Sequence, residues 1–432
     1  MTKKLVSFDE ATGQLPAAVE AVLDTAYGPV AASAAAAALI AAEHATERAF
    51  QSSTYGRIKG AGSGPRLVAL GDSTIAADSS NAPSWGGRDF VAMALILSGG
   101  AFRYVRNAGI AGNKSADMLA RFSTDVTPYA PDVVLLVAGI NDAVTGTVTL
   151  ATYAANMRAI VANIRAIGAV AWIGNVAPNL NTGGTLQKID TYNAWLREFT
   201  AAENIPLLDL NTPLTDPATG QYLGSPGPGG MTLDGTHQDV HGALAVGQAL
   251  ATLATANLPS WSPHLPTYNT TDLRSQVANG LFLASSAGLG TSWLQTGGTA
   301  SIITGDTTIK GNWQRLTDLV SGTINIRQNI TLAPTVIGDT LRISGRCKHV
   351  MGTSVSAIQM FFTCSGSGIT NYIMLSQTQD FAGVFEFDVV VPAGTSSLQF
   401  QMARVVTTAG TGYSQIAQIA VRNLTQLGIL TA

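Results

Sequence analysis

The sequence predicts a three-layer α/β/α domain with a parallel sheet, preceded by a helical segment and followed by an all-β sandwich. Between residues 66 and 258, short apolar runs alternate with helical patterns, as in a parallel sheet covered by helices on both faces. After residue 275 the hydrophobic period changes to two, which is typical of antiparallel strands. These patterns divide the chain into a helical segment at 1–62, an α/β domain at 63–258, a Pro-containing linker at 259–274 and a β-sandwich at 275–432.

The composition argues against several classes of partner. Lys plus Arg total 24 and Asp plus Glu 27, which gives a net charge of −3. With no basic stripe, nucleic acid and anionic membranes are not expected as partners. Charged residues make up only 12% of the chain, against roughly 25% in an average domain. The small residues that replace them favour an extracellular or virion-associated protein.

Residues 1–62 predict helix, and their alanine-rich part leaves two interpretations open. The start, MTKKLVSFDE, has no apolar run behind its lysines, so no secretory signal is expected. The apolar run Val30–Ala42 is shorter than the about 20 residues that span a bilayer. The segment is then either an accessory helix packed on the next domain or a device for oligomerisation or attachment.

The middle part of the chain supplies the strands and helices of the α/β domain. Its apolar runs predict strands at Arg66–Leu70, Phe102–Asn107, Asp132–Ala138, Val170–Asn175 and Ile205–Leu210. The patterns between and after them predict helices at Gly86–Leu97, Ser115–Phe122, Leu150–Ile167, Gln187–Glu203 and Val240–Asn257. In such sheets ligands bind at the carboxyl ends of the strands, so functional residues are expected there.

The C-terminal part predicts a sandwich, in particular a jelly roll, because apolar residues alternate with polar ones. Phe385, Phe387 and Val389 form one such run. Three aromatic residues could stack on sugars, although core positions are commoner for such residues: Trp293, Trp313 and Tyr372. Cys347 and Cys364 are interpreted as small buried residues, with a single disulfide as the alternative, because two cysteines cannot form a zinc cluster alone.

A candidate nucleophile follows the first predicted strand, in the stretch RLVALGDST. Ser73 stands where that strand ends, and Asp234 and His237 lie three residues apart far downstream. Such a spacing lets an Asp orient a His ring whose other nitrogen accepts a serine proton. His241 is the weaker candidate for the base and is interpreted as a capping or surface residue.

Two further stretches of sequence lie at the ends of predicted strands, at the same edge of the predicted sheet. NAGIAG contains Gly109 and Gly112, and GIND contains Asn141. Acyl transfer needs N–H donors aimed at a tetrahedral oxyanion, which glycine backbones and an Asn side chain can supply. Taken singly, Gly112 could be a plain turn and Asn141 a helix cap.

These stretches together resemble the four sequence blocks of the SGNH hydrolases, also called GDSL esterases. The blocks occur in order as GDST at 71–74, the glycine at 112, GIND at 139–142 and DGTH at 234–237. The resemblance covers about residues 66–257 and implies a flavodoxin-like three-layer fold. Thr74 stands where Leu or Ile is commoner, which affects only the position after the nucleophile.

The resemblance also implies roles for individual residues. Ser73 would be the nucleophile, His237 the base and Asp234 the acid that orients it. The backbone N–H groups of Ser73 and Gly112, with the Asn141 side chain, would form the oxyanion hole, and Gly109 is a second candidate for the place of Gly112. No metal or organic cofactor is implied, because the serine, the histidine and backbone dipoles suffice.

The function expected on this basis is a serine esterase that removes acyl groups, in particular acetyl groups, from a polysaccharide. The sandwich looks like the carbohydrate-binding jelly rolls appended to glycan-active enzymes, and the N-terminal segment resembles those of bacteriophage tail proteins. Two alternatives stay open: a lipase-like or thioesterase activity on small acyl esters, and a non-catalytic glycan-binding protein on an esterase scaffold. Because all four blocks precede residue 238, the catalytic domain is expected to work without the sandwich.

Overall fold

The computed structural model describes residues 64–77, 88–180, 184–226 and 230–429, with short gaps at 260, 262, 270–274, 333–334, 336, 353–354, 367–371 and 378. The predicted helical segment at 1–62 lies outside the described residues, as does the start of the helix predicted from Gly86. Within the described residues, no helix combines the length and the apolar character needed to cross a bilayer.

The first domain is built on a five-stranded parallel sheet. Its strands are β1 (Arg66–Gly71), β2 (Arg103–Gly109), β3 (Val133–Val137), β4 (Val170–Gly174) and β5 (Leu207–Leu208). They lie in the order β2-β1-β3-β4-β5, with all neighbours parallel. This is the order of flavodoxin-like doubly wound sheets, in which the crevice between β1 and β3 is the usual ligand site. The five predicted strands are confirmed, the last one shortened.

Helices cover both faces of this sheet. They are α1 (Ser73–Ala76), α2 (Phe90–Leu97), α3 (Ser115–Ala120), α4 (Phe122–Asp125), α5 (Ile140–Val144), α6 (Leu150–Ala166), α7 (Gly184–Ala202) and α8 (Val240–Asn257). Leu67 and Ala69 of β1 belong to one hydrophobic cluster with α2 and α8. Val68 and Leu70 belong to a second cluster with α6 and α7. Because neighbouring side chains of a strand point to opposite faces, one short apolar strand serves both layers.

The second domain is a β-sandwich. Its strands are β6 (Ser285–Ser286), β7 (Leu289–Gly290), β8 (Leu294–Thr296), β9 (Thr299–Ile303), β10 (Trp313–Thr317), β11 (Gly322–Ile330), β12 (Thr340–Val350), β13 (Val355–Ser365), β14 (Tyr372–Gln377), β15 (Phe381–Val390), β16 (Ser397–Val406) and β17 (Tyr413–Asn423). Two five-stranded sheets run β15-β12-β17-β10-β9 and β14-β13-β16-β11-β8. Phe385, Phe387 and Val389 are buried, so the sandwich is confirmed, and the jelly roll stays a prediction.

The single residues singled out in the sandwich have definite places. Trp293 is only 4% exposed and lies against Phe282 and Phe400, so it is a core residue and not a sugar-stacking one. Trp313 is half-buried, and its Nε1 donates to Asp306. The side chain of Tyr372 lies outside the described part of the structure.

The two cysteines are core residues. Cys347 and Cys364 are both buried, and no disulfide joins them. Burial raises the pKa of the Cys347 thiol to about 12 and that of Cys364 to about 11. The interpretation of both as small buried residues is confirmed.

The two domains share a packed interface. Helix α2 packs against α8 on one side and β15 on the other, and its residues from Phe90 to Ile96 are all buried. A side chain at Gly383 of β15 would place its Cβ 2.0 Å from the Ile96 carbonyl oxygen. At the rim, Arg103 of β2 forms an ion pair with Asp388 of β15. The order of the sequence blocks suggests that the catalytic domain works without the sandwich, but it carries no information on this contact between the domains.

Candidate active site

Ser73 is presented by a sharp connection between β1 and α1. It is the first residue of α1 and is half-buried. Asp72, immediately before it, caps the helix, because its Oδ1 accepts from the Thr74 N–H at 2.8 Å. A Cβ at Gly71 would lie 2.8 Å from the Val137 carbonyl oxygen of β3, so the strand end requires glycine. This local sequence places the Ser73 hydroxyl at the carboxyl edge of the sheet.

The Asp72 carboxyl is itself completely buried beside the nucleophile. Burial raises its pKa to about 6, against the lowering effect of the Thr74 hydrogen bonds. The group therefore takes up its proton well above the pH at which an exposed aspartate does.

The structure brings His237 next to Ser73 and Asp234 next to His237. The Ser73 Oγ lies 2.8 Å from His237 Nε2, and His237 Nδ1 lies 2.7 Å from Asp234 Oδ2. A serine hydroxyl next to an imidazole whose other nitrogen faces a carboxylate is the arrangement that activates a serine nucleophile. The histidine in contact with Ser73 is His237, whereas His241 Nδ1 lies 3.8 Å from Asp239 Oδ2.

The loop between Asp234 and His237 orients the carboxylate. Asp234 Oδ1 accepts from the backbone N–H groups of Thr236 and His237, at 3.0 and 2.9 Å. Partial burial raises the pKa of Asp234, but the hydrogen bonds from the His237 side chain and from these two N–H groups outweigh it and lower the pKa overall. Asp234 is therefore ionised at neutral pH and faces the His237 ring.

The two candidate oxyanion glycines lie in different environments. The Gly109 N–H donates to Asn107 Oδ1, and a Cβ there would lie 2.1 Å from the Ala76 backbone nitrogen. Gly109 thus serves the close packing of α1 on β2. Gly112 has a φ of +79°, is exposed, and would leave a Cβ without neighbours within 4 Å. Within the described part of the chain, the Gly109 N–H has this partner and the Gly112 N–H has none, so of the two the Gly112 N–H is the one open to a ligand.

The third candidate donor is the Asn141 side chain at the start of α5. Its Nδ2 donates to the Asn113 carbonyl oxygen at 3.0 Å, which uses one of its two hydrogens. The helix is anchored by its next residue, because Asp142 accepts from both the N–H and the Oγ of Ser115.

Arg121 is a supporting residue that no sequence pattern singles out. Its Nε donates to Asn113 Oδ1 at 2.6 Å, and its Nη2 donates to the Gly71 carbonyl oxygen at 2.8 Å. It thereby ties the loop behind β2 to the strand that delivers Ser73. Among the described residues, no group of three or more His, Cys, Asp or Glu side chains could hold a metal ion.

Comparison with known proteins gives one family match. Residues 69–242 match the model of the GDSL-like lipase/acylhydrolase family. A search of curated proteins found no match to the chain.

Solved structures similar to this chain include three hydrolases, each aligned with less than half of it. An acetylxylan esterase from Geobacillus stearothermophilus is 22% identical, with a TM-score of 0.39, over 46% of this chain and 99% of its own. A lipase/acylhydrolase from Enterococcus faecalis is 23% identical, with a TM-score of 0.38, over 46% of this chain and all of its own. A GDSL-like lipase from Bacteroides thetaiotaomicron VPI-5482 is 21% identical, with a TM-score of 0.37, over 47% of this chain and 98% of its own.

The four sequence blocks, the family match over residues 69–242 and the parallel sheet agree. The first domain of the chain therefore belongs to the GDSL-like lipase/acylhydrolase family, the SGNH hydrolases, and is a carboxylic ester hydrolase.

Proposed function

We propose that this protein is a serine esterase that removes acetyl groups from a polysaccharide. The observation that carries the catalytic part is the pair of contacts around His237: 2.8 Å from Nε2 to the Ser73 Oγ and 2.7 Å from Nδ1 to Asp234. An intact hydrogen-bonded set of this kind argues against the alternative of a non-catalytic binding protein.

The reaction follows from the placement of these groups. His237 Nε2 takes the proton of Ser73 as the Oγ attacks the ester carbonyl carbon, and Asp234 stabilises the imidazolium that forms. The N–H groups of Ser73 and Gly112 and the Asn141 amide stabilise the oxyanion. His237 then gives its proton to the leaving alcohol, and a water activated by the same imidazole hydrolyses the acyl-enzyme, which releases the carboxylic acid.

The openness of the site supports a substrate attached to a large polymer. The side chains of His237 and Asp234 are 32% and 48% exposed, so an ester on a bulky glycan can approach from solvent. In this proposal the β-sandwich binds the glycan. Residues 1–62 attach the protein to a virus particle, as in a bacteriophage tail protein. Both assignments rest on the sequence resemblance.

Hydrolysis of small or longer-chain acyl esters is the second candidate. Three exposed apolar side chains stand on the segments that carry the site: Ile110 behind β2, Val144 at the end of α5 and Leu233 just before Asp234. Such residues could contact an acyl chain. If this second candidate is right, the rate of ester hydrolysis should rise with the length of the acyl chain. If the protein is an acetyl esterase, the acetyl ester should react fastest.

The test compares the wild-type chain with Ser73→Ala on p-nitrophenyl esters of increasing chain length and on acetylated polysaccharides, with acetate release measured directly. Ser73→Ala should remove nearly all hydrolysis. Asn141→Ala should lower kcat by about 10² to 10³, with little change in KM, because an oxyanion donor acts mainly in the transition state.

Ser98→Ala is the matched control. Ser98 follows α2 and bonds the Leu95 carbonyl oxygen, at the edge of the sheet opposite the site, so its loss should leave kcat unchanged. If Ser73→Ala kept the wild-type kcat, the assignment of Ser73 as the nucleophile would be wrong. A preference for long acyl chains, with no acetate released from any glycan, would instead favour the second candidate.

A further inference from the structure

Gln238, the residue after His237, reaches from the histidine loop to the helix that carries the nucleophile. Its side chain is buried, with 2% exposed. The Nε2 donates to the Thr74 carbonyl oxygen at 2.8 Å and to the Arg88 carbonyl oxygen at 3.2 Å. The hydrogen bond therefore joins the residue that follows His237 to the residue that follows Ser73, which are 164 positions apart.

The carbonyl end of helix α1 faces this donor. The last carbonyls of a helix have no intrahelical partner, and α1 has only four residues. The carbonyl of the capping residue Asp72 accepts from the Ala76 N–H, and that of Ser73 accepts from the Ala77 N–H. Among the described residues, the Thr74 carbonyl accepts from the Gln238 amide, so the histidine loop contacts the carbonyl end of the short helix.

Three other hydrogen bonds hold the histidine loop from a different side. The Leu180 N–H donates to the Gly235 carbonyl, Asn179 bonds the Thr236 hydroxyl, and the Tyr222 hydroxyl bonds the Thr236 carbonyl. These contacts fix the loop to the segments behind β4 and β5. None of these three contacts joins the loop to α1. The Gln238 amide does join it to α1.

We propose that Gln238 is a positioning residue that keeps His237 Nε2 at proton-transfer distance from the Ser73 hydroxyl. This inference rests on the proposed function. A proton transfer needs its heavy atoms within hydrogen-bond reach, and misplacement by about 1 Å costs about 10²-fold in rate. Gln238 touches neither substrate nor the transferred proton, and it acts through the relative position of two backbones.

Two substitutions separate a donor from a mere space-filling side chain. Gln238→Met keeps a similar volume but cannot donate, so kcat should fall by about 10-fold to 100-fold at every pH, with KM nearly unchanged. Gln238→Glu can donate to the Thr74 carbonyl only while its carboxyl is protonated. Burial favours that neutral form. The ratio of its kcat to the wild-type kcat should therefore be near one at acid pH and fall as pH rises to 8.

Gln328→Met is the matched control. Gln328 is 3% exposed and bonds both backbone groups of Ala278 in the sandwich, so its loss should lower Tm without changing kcat. All variants are assayed at a temperature where circular dichroism shows them folded at each pH. A role limited to stability would move Tm but give no pH-dependent ratio for Gln238→Glu.

The outcomes keep the inference apart from the proposed function. If the kcat of Gln238→Met is within about twofold of wild type, the inference is wrong. The proposed function still stands in that case, provided that Ser73→Ala is inactive. If Gln238→Met does not fold, Gln238→Glu decides, because a ratio that stays constant from acid pH to pH 8 contradicts the donor role. Full activity of Ser73→Ala contradicts the proposed function itself.

Discussion

Gly109 is the last residue of β2 and Gly112 follows it by three positions, and their surroundings differ in kind. A side chain at Gly109 would meet the backbone of α1, which cannot move without moving Ser73. A side chain at Gly112 would meet nothing within 4 Å, but it would have to adopt a φ of +79°. Alanine at the first position therefore causes a steric overlap, and alanine at the second causes only backbone strain.

Gly109→Ala should lower Tm by several degrees and reduce kcat, because overpacking against backbone typically costs about 1–3 kcal/mol and shifts the nucleophile. Gly112→Ala should lower stability by only about 1 kcal/mol. The measurements are thermal unfolding and turnover of the same two preparations. A larger loss of Tm in Gly112→Ala than in Gly109→Ala would contradict this assignment of the two glycines.

The residues that the sequence could identify are those with local signals. Ser73 follows an apolar strand, and Asp234 and His237 are close in the chain, so their chemistry can be inferred from spacing. Gln238 and Arg121 have no such signal, because their partners Thr74 and Asn113 are set by the tertiary fold. A glutamine beside the histidine and an arginine on a helix are ordinary surface residues until the fold is known.

Among the secondary-structure elements, length decided which could be predicted. The long helices α6, α7 and α8 have a sustained helical pattern and were predicted within a few residues. The short helices α1 and α5 were not predicted, since four or five residues carry no period. They form because Asp72 caps α1 and the packing of Gly139 against Val176 and Tyr153 fixes the start of α5.

The sandwich holds a buried polar network between β12, β16 and β17. Arg404 forms two hydrogen bonds with Asp318 and one with the Ser414 hydroxyl. The Ser414 hydroxyl in turn lies 2.7 Å from His349 Nδ1. Burial, with the nearby Arg404 charge, lowers the pKa of His349 to about 3, so its imidazole is neutral in the folded protein over the physiological range.

This network makes stability depend on pH in a definite direction. Below about 6.5, the ordinary histidine value, the unfolded chain binds a proton on His349, whereas the folded chain does not until about pH 3. The contribution of His349 to stability therefore falls as pH falls through this window. Wild-type Tm should drop more between pH 7 and pH 5 than that of His349→Gln, whose amide does not titrate.

The buried carboxyls of Asp72 and Asp89 act in the opposite direction. Burial raises both pKa values to about 6, so their contribution weakens as pH rises from about 4 to 6. Asp72 and Asp89 are present in both the wild type and His349→Gln. Their contributions therefore cancel when the drops in Tm of the two proteins are compared. A substitution at the exposed His264 is the control. Equal drops of Tm in wild type and His349→Gln would contradict the assignment.

At the scale of the whole molecule, the contact between the domains is the feature that composition and periodicity did not reveal. Helix α2 is apolar all round, which is typical of a helix buried on every side, and one hydrophobic cluster runs from β1 through α2 into the sandwich. Removal of residues 265–432 would uncover this helix and leave Arg103 without Asp388. We therefore expect the truncated chain to aggregate, and not to keep its esterase activity as the order of the blocks alone suggested.

A less drastic change tests the same interface in the full chain. Gly383→Val places a side chain where even a Cβ would lie 2.0 Å from the Ile96 carbonyl oxygen, so β15 and α2 must separate. We expect calorimetry to show one cooperative transition for wild type and two transitions for the variant, the first at a lower temperature. Gly184→Ala is the control, because its Cβ would have no neighbour within 4 Å. Two transitions already present in wild type, or one unchanged transition in Gly383→Val, would mean that the interface does not couple the unfolding of the two domains.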